Sequence, residues 1–345
     1  MTAVGARPAL AEVRAYNVDG PECRIMLADN TGAHGAPPSA IEAASAAARG
    51  VARYPTTFSR SLREAIADYV GVSPDEIIVG CGSGDLIDSA FRAFAPPGAA
   101  VAHVSPTFIM ARTYALTNGL RPVALRLTSD GDADADAFLD AQADVSYLCS
   151  PNNPTGRCHS GPAIERVLGG AAGLVLLDEA YAEFSGRTHA AQAPAHGRLL
   201  VLRTFSKAFG LAGLRVGYAV GAAPLIAEME KVRGPYKVTS VAETAALAAL
   251  RQDLPWMRRT VAETIRVRDD FSVVLREAGR EPLPSDANFV LLPVDDAARV
   301  STALRARGIL VRAFPGLPGI GDALRISIGP ADVMHVVATA VLEVT

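Results

Sequence analysis

Short apolar runs alternate with helical stretches from residue 41 to about residue 235. The runs are rich in Val, Ile and Leu, and they occupy positions 77–79, 100–104, 123–125, 145–148, 174–177, 199–202 and 216–220. Strands that alternate with helices form βαβ units, in which both faces of the sheet are covered. The pattern therefore predicts an α/β fold with a mostly parallel central sheet and flanking helices.

The pattern changes after a helix predicted over 224–233. Gly234 and Pro235 end that helix, because proline lacks an N–H and restricts the residue before it. A long helical region to about Ala278 follows, then short strands at 288–292, 309–311 and 324–328 and helices over 297–307 and 331–343. We expect a smaller α+β domain there. Residues 1–40 lack sustained periodicity, so the expected division is an arm (1–40), a large domain (41–235) and a small domain (236–345).

Charge and composition limit the classes of binding partner that are expected for this chain. The chain has 33 Lys and Arg against 36 Asp and Glu, a net charge of −3. The chain therefore has no excess of positive charge that would attract nucleic acid or an anionic membrane. With 345 residues, half of them apolar, the chain can bury two cores. Small molecules and further copies of the chain are the expected partners.

The cysteines and the amino-terminal residues indicate the cellular compartment that is expected for this protein. The four cysteines are scattered without a CxxC pair or a histidine at metal-ligand spacing, which predicts neither a disulfide framework nor a metal site. The amino-terminal residues do not resemble a secretion signal, and no apolar run approaches the about 18 residues of a membrane span. A cytoplasmic protein is expected.

The strongest chemical signal is Lys207 in the segment RTFSKAFGLAGLRVGY at 203–218. A lysine is nucleophilic only when neutral, so a Schiff-base lysine needs desolvation or a cationic neighbour. Arg215 could supply that cation, while the hydroxyls of Thr204 and Ser206 could bind an anion. The alternative is a surface lysine beside a glycine-rich turn.

A second signal is LVLLDEAY at 174–181, where an apolar strand ends in Asp178, Glu179 and Tyr181. Ligands of open α/β sheets bind beyond the carboxyl ends of the strands. A carboxylate there can keep a pyridine nitrogen protonated, which a pyridoxal cofactor needs to accept electrons. The alternative is an acidic pair that caps the next helix.

Two further segments hold polar groups next to predicted strands. GCGSGDLIDSAFRAF at 80–94 is a glycine-rich turn before a helix, and the free N–H groups of a helix start can bind a phosphate. It lacks the lysine of a nucleoside triphosphate loop and could be only a tight turn. SPNNPTG at 150–156 is a proline-fixed turn that presents the amides of Asn152 and Asn153.

Together and in this order, these segments resemble the fold-type I pyridoxal-phosphate aminotransferases of class I and II, most closely the histidinol-phosphate aminotransferase family. The resemblance extends from Arg53-Tyr54-Pro55 to the segment LRISIG at 324–329. It implies an aspartate aminotransferase-like fold, pyridoxal 5′-phosphate as the cofactor, and a homodimer with a shared active site.

The resemblance also implies roles for individual residues. Lys207 matches the lysine that forms the Schiff base and moves the proton, and Asp178 matches the partner of the pyridine nitrogen. Tyr181 and Asn153 match the residues that hydrogen-bond the phenolic oxygen. The other implied cofactor contacts are Ser83, Gly84, Thr204, Ser206 and Arg215 on the phosphate, Phe108 on the ring, and Tyr54 on the phosphate of the neighbouring subunit.

For the substrate, Arg325 matches an arginine that pairs with an anionic group, and Arg312 stands where a second, phosphate-directed arginine is expected. Asn30 belongs to the segment at 29–35 that covers the substrate in the family. That segment lacks the family's proline and aromatic residue, and Gly84 stands where the family often has an acidic residue.

The expected reaction is transamination between histidinol phosphate and 2-oxoglutarate. An aromatic amino acid is an alternative amino donor, since fold does not settle substrate. A decarboxylase of the threonine-phosphate type and a noncatalytic binding or regulatory protein that keeps the fold remain further alternatives.

Overall fold

The computed structural model describes residues 5–15 and 23–345, so parts of the expected arm lie outside the described residues. The strands are β1 (Ile25–Leu27), β2 (Ile77–Gly80), β3 (Ala100–Ser105), β4 (Arg121–Arg126), β5 (Val145–Cys149), β6 (Leu174–Asp178), β7 (Leu199–Thr204), β8 (Gly217–Val220), β9 (Phe289–Pro293), β10 (Ile309–Leu317) and β11 (Gly321–Ser327). The helices are α1 (Pro38–Ala47), α2 (Arg60–Val70), α3 (Gly82–Phe94), α4 (Met110–Thr117), α5 (Ala135–Asp140), α6 (Gly161–Gly170), α7 (Ala182–Ser185), α8 (Ala223–Val232), α9 (Ser240–Gln252), α10 (Leu254–Glu277), α11 (Ala297–Ala306) and α12 (Ala331–Val344).

The larger sheet has the strand order β2-β8-β7-β6-β5-β3-β4. Strand β8 runs antiparallel to β2 and β7, and the remaining pairings are parallel. Every residue of β5, β6 and β7 is buried. Burial on both faces explains why these strands read as continuous apolar runs. The predicted α/β class with a mostly parallel sheet is confirmed.

The smaller sheet has the order β1-β10-β11-β9. Strand β1 lies inside the region expected to be an irregular arm, and it pairs in parallel with β10, where Ile25 stands opposite Ile309. Three residues are too few to show a period in the sequence. The first helix, α1, begins at Pro38. The structure therefore departs from an irregular arm over 1–40 within the described residues.

Two apolar clusters divide the chain differently from the expected bounds. Helix α9 and the start of α10 pack on the larger sheet through residues such as Ala245, Ala249 and Met257. The later part of α10 packs on the smaller sheet through Val267 and Phe271. The packing thus changes within α10 rather than at residue 235, and the division into domains stays a prediction.

Residues 5–15 and 23–345 contain no helix long and apolar enough to cross a membrane and no group of three or more His, Cys, Asp and Glu residues that could hold a metal ion. The cysteines at 23, 81, 149 and 158 are free thiols.

Candidate active site

A cavity of about 460 Å³ lies beyond the carboxyl ends of β5, β6 and β7. The carboxyl ends of parallel strands lie at one edge of the sheet, and open α/β folds bind their ligands at that edge. The sequence-predicted residues that line it are Asn30, Ser83, Gly84, Phe108, Asn153, Asp178, Tyr181, Thr204, Ser206, Lys207, Arg215 and Arg325. The fold thus gathers residues from segments up to about 300 positions apart around one space.

Lys207 follows β7 and is partly exposed to this cavity. Its Nζ donates a hydrogen bond to the carbonyl oxygen of Asp29 at 2.9 Å and lies 5.8 Å from the centre of the Tyr181 ring. Desolvation by the surrounding protein, followed by the charges of Arg325 and Arg215, lowers the pKa of Lys207 to about 7. Near neutral pH, the amine of Lys207 is therefore uncharged in a large share of the molecules, as a nucleophilic lysine requires.

Asp178 is the last residue of β6 and is buried. Its carboxylate accepts hydrogen bonds from the hydroxyl of Tyr147 at 2.8 Å and from the backbone N–H of Ala180 at 3.1 Å. Burial raises the pKa of Asp178 to about 6, against the effect of those two donors. A buried carboxylate at this position can pair with a cationic ring in the cavity.

Glu179 does not share this position, although it follows Asp178 in the chain. Its carboxylate accepts hydrogen bonds from the hydroxyl of Thr188 at 2.5 Å and the backbone N–H of His189 at 2.6 Å. It also lies 3.5 Å from the buried guanidinium of Arg203. These contacts lie outside the cavity lining, so Glu179 stabilises the loop that follows β6.

Asn30 connects the opposite walls of the cavity. Its side-chain amide donates to the Tyr181 hydroxyl at 3.0 Å, and its backbone N–H donates to the hydroxyl of Ser327 at 2.9 Å. Asn288 donates to its carbonyl oxygen at 3.1 Å. The residue adopts a left-handed backbone with φ of 53°, which asparagine tolerates better than most residues. Because Tyr181 accepts from Asn30, its own hydroxyl proton can point to a ligand.

Arg325 of β11, in the smaller sheet, is buried and lines the cavity. Its guanidinium donates to the side-chain oxygen of Asn153 and to the carbonyl oxygen of Ala28, both at 2.5 Å. Asn152 instead holds its own turn, since its side chain bonds to Pro106 and Thr155. Of the two asparagines in SPNNPTG, Asn153 is the one that reaches the site.

A polar cradle lies at the start of α3. A Cβ atom on Gly82 would lie 2.5 Å from Nη2 of Arg215, and one on Gly217 would lie 2.5 Å from the backbone nitrogen of Ser83. Both glycines are required for this close approach. The first N–H groups of a helix have no partner within the helix, so those of Ser83 and Gly84 are suited to an anion.

Hydroxyl groups complete the cradle. The Ser206 hydroxyl accepts from Nη1 of Arg215 at 3.3 Å, and the Ser206 backbone N–H donates to the Thr204 hydroxyl at 3.1 Å. Arg215 itself has a left-handed backbone with φ of 54°. A guanidinium, two hydroxyls and a helix start around one end of the cavity fit the phosphate of a pyridoxal cofactor, with Lys207 and Asp178 further in.

Comparison with known proteins agrees with this geometry. The family model for aminotransferases of class I and II matches residues 25–341. The chain belongs to the class I and II aminotransferases. A histidinol-phosphate aminotransferase from Thermoanaerobacter sp. (strain X514) is 37% identical over 288 residues, which cover 81% of this chain and 80% of the relative.

This aminotransferase is also similar to a second curated relative and to a solved structure. An aromatic amino acid aminotransferase from Corynebacterium glutamicum (strain R) is 38% identical over 304 residues, or 86% of each chain. The crystal structure of histidinol-phosphate aminotransferase from Sinorhizobium meliloti in complex with pyridoxal-5′-phosphate superposes with a TM-score of 0.88. It is 26% identical, and the match covers 99% of this chain and 98% of that one. The predicted family and fold are confirmed.

Two predicted site residues of the aminotransferase do not line the cavity. Tyr54 is 82% exposed, and its ring stacks on Tyr236 with 4.6 Å between ring centres. Arg312 of β10 stands directly opposite Arg325 of β11, with its guanidinium 5.8 Å from the centre of the Phe314 ring. Residues directly opposite in an antiparallel pair point to the same face of the sheet. Arg312 is therefore a neighbour of the cavity wall.

The structure also brings in residues that sequence reasoning missed. Thr31, Met110 and Tyr114 line the cavity, and Tyr147 contacts Asp178 from within β5. Tyr147 lies in an apolar run, where a tyrosine is typical of a strand core. A sequence signal for this pair would have been the tyrosine within β5 together with the aspartate that ends β6, the neighbouring strand.

Proposed function

We propose that this aminotransferase binds pyridoxal 5′-phosphate on Lys207 and transfers the amino group of histidinol phosphate to 2-oxoglutarate. The observation that carries the proposal is a lysine of lowered pKa in one cavity with a strand-end carboxylate and a phosphate cradle. Relatives that are named histidinol-phosphate aminotransferases support the choice of amino donor.

Each cofactor contact has its proposed residue. The phosphate would lie on the N–H groups of Ser83 and Gly84, the hydroxyls of Thr204 and Ser206, and Arg215. Asp178 would keep the ring nitrogen protonated, and Phe108 would stack on the ring. Tyr181 and Asn153 would hold the phenolic oxygen. When bound, the cofactor serves as an electron sink for the bond broken at the substrate Cα.

The chain's own residues supply the proton transfer. The Lys207 Nζ, whose pKa lies near neutrality, would take the proton from the substrate Cα and return a proton during the transfer. Arg325 would orient an anionic group of the substrate through a two-point contact. The segment with Asn30 would cover the substrate and exclude water.

Two arginines on neighbouring strands favour a phosphorylated amine. Arg312 stands directly opposite Arg325 on the neighbouring strand, and their guanidinium carbons lie 5.8 and 5.7 Å from the centre of the same Phe314 ring. Aromatic amino acid transamination is the second candidate. It is favoured by the position of Arg312 outside the cavity lining, because Arg325 alone can bind one carboxylate.

Absorbance of the cofactor-loaded protein tests the function. We expect the visible band of the bound cofactor to disappear on addition of histidinol phosphate, and phenylalanine to have a much smaller effect. A response to phenylalanine alone would select the second candidate. Lys207→Ala should fold normally and lose turnover, and borohydride reduction should fix the cofactor to Lys207 in the wild type only. Normal turnover in that variant would refute the assignment.

A homodimer with shared sites is part of the proposal. Its support is the exposed position of Tyr54, which the family resemblance assigns to the phosphate of the neighbouring subunit. The cytoplasmic location expected from the sequence stays a prediction.

A further inference from the structure

Tyr114 is a polar residue of the cavity that the proposed function leaves without a role. It lies on α4 and lines the cavity together with Ser83, Gly84 and Arg215. Among the hydrogen bonds within residues 5–15 and 23–345, none involves its hydroxyl. The nearby carboxylates are engaged elsewhere, since Asp85 pairs with Lys237 at 2.7 Å and Asp88 with Arg92 at 3.0 Å.

The hydroxyl lies directly over the start of α3. A Cβ atom on Gly84 would be 3.0 Å from the Tyr114 oxygen, closer than an ordinary van der Waals contact. Because Gly84 has no side chain, the Tyr114 hydroxyl can occupy this space. The two glycines that flank Ser83 are covered in the same manner: Gly82 faces the guanidinium of Arg215, and Gly84 faces the phenol of Tyr114. Two donor side chains thus flank the free N–H groups of one helix start.

The phenol remains a donor under ordinary conditions. Burial, followed by the charges of Asp88 and Asp85, raises the pKa of Tyr114, while Arg215 acts in the opposite direction. A protonated phenol beside an arginine and a helix start can donate to an anion, and hydrogen bonds to charged acceptors are the stronger ones.

We propose that the Tyr114 hydroxyl is a further ligand of the cofactor phosphate, admitted to the cradle because residue 84 is glycine. The inference rests on the proposed function, since it takes the phosphate to lie at the start of α3. It adds a side chain from α4 to a cradle otherwise built from α3 and the segment after β7.

Paired ligands test the inference. Dissociation constants of pyridoxal 5′-phosphate and of pyridoxal, which lacks the phosphate, are measured on stripped protein for the wild type and Tyr114→Phe. We expect Tyr114→Phe to weaken pyridoxal 5′-phosphate about tenfold and to leave pyridoxal unchanged, because one hydrogen bond to a charged group is lost. Thr113→Val is the matched control, since it removes a hydroxyl of α4 whose one hydrogen bond within residues 5–15 and 23–345 goes to the carbonyl of Ile109.

A second variant locates the effect. Gly84→Ala places a methyl group against the phenol and should weaken pyridoxal 5′-phosphate in the wild type, but less in the Tyr114→Phe background. Equal binding of pyridoxal 5′-phosphate by Tyr114→Phe and wild type would overturn the inference and leave the proposed function intact. An equal loss for both ligands would also overturn it, because Tyr114 would then contact the ring. Failure of the wild type to bind pyridoxal 5′-phosphate would instead refute the proposed function.

Discussion

The reactivity of Lys207 is determined by its neighbours. Burial lowers its pKa first, and the positive charges of Arg325 and Arg215 lower it further. We predict that the Lys207 amine of the ligand-free protein reacts with acetic anhydride with a midpoint near pH 7, the rate rising with pH as the neutral form appears. Arg325→Met removes one of the cations, so the pKa rises and the midpoint moves to higher pH.

Peptide mass spectrometry over a pH series measures that acetylation. Arg266→Met is the control, because Arg266 is exposed on α10 and pairs with Glu263 and Asp270. An unchanged midpoint in Arg325→Met would show that the charge of Arg325 does not act on Lys207.

Asp178 gives a second pH prediction. Its pKa of about 6 is held down by the hydrogen bond from Tyr147, against the effect of burial. Tyr147→Phe removes that donor, so Asp178 becomes protonated at higher pH and pairs less well with a cationic ring. We expect the pH below which affinity for pyridoxal 5′-phosphate declines to rise by about one unit.

Fluorescence titration with the cofactor over a pH series measures this change. Tyr218→Phe is the matched control, because Tyr218 is also buried and its hydroxyl has no hydrogen-bond partner among the described residues. The same pH dependence in Tyr147→Phe and Tyr218→Phe would contradict the assigned role of Tyr147.

The sequence pattern predicted the residues that stand next to strand ends, and the family resemblance added Asn30 and Arg325, but Tyr114 and Tyr147 were missed. Lys207 and Asp178 follow apolar runs, so their common edge could be inferred from the parallel order of the strands. Tyr114 meets Gly84 through the packing of α4 on α3, and no spacing in the sequence encodes that contact. Roles assigned to individual site residues remain predictions.

At the scale of elements, burial decided which strands could be recognised. Strands β5, β6 and β7 are covered on both faces, so apolar residues predominate on both faces of each strand. Strand β1 has three residues and is held by pairing with β10, which is distant in sequence. Long-range pairing of this kind leaves too little local pattern for prediction.

The segment after β1 lies against the turn after β7. Gly210 has a φ of 65°, and a Cβ atom there would lie 2.2 Å from the carbonyl oxygen of Gly35. We predict that Gly210→Ala lowers the free energy of unfolding by about 1–3 kcal/mol, because it combines a strained backbone with a backbone collision. The change should also weaken cofactor binding, since the 29–35 segment contacts Lys207 through Asp29.

Urea unfolding of the ligand-free protein measures the loss. Gly213→Ala is the control from the same turn, because nothing lies within 4 Å of its added Cβ atom, and its effect should stay within about 0.5 kcal/mol. Equal stability of the two variants would show that the 29–35 segment moves away without cost.

At the scale of the whole molecule, the site lies where the two sheets meet. Arg325 of the smaller sheet bonds to Asn153, which follows the larger one. Asn30 bonds to Tyr181 on one side and to Ser327 and Asn288 on the other. Any motion of the smaller sheet relative to the larger would therefore change the contacts of Asn30 and Arg325, which form the proposed substrate wall, more directly than those of Ser83 and Arg215 in the proposed phosphate cradle.

The shared site of the proposed homodimer gives a last prediction. Tyr54 is 82% exposed, and Phe58, four residues later in the chain, is 51% exposed. Exposed aromatic side chains are typical of protein interfaces. If Tyr54 completes the site of the neighbouring subunit, Tyr54→Ala and Lys207→Ala damage opposite halves of each site. Each variant alone should be impaired, and Lys207→Ala should be inactive.

Mixing the two variants distinguishes a shared site from a self-contained one. In a mixed dimer, the subunit that keeps Lys207 receives Tyr54 from its partner, so one of the two sites is complete. Random exchange should restore about a quarter of the wild-type sites, because half of the dimers are mixed and each has one good site. Activity that stays at the mean of the separate variants, or a monomeric mass in solution, would contradict a shared site. In that case Tyr54 would serve only to stack on Tyr236 of its own chain.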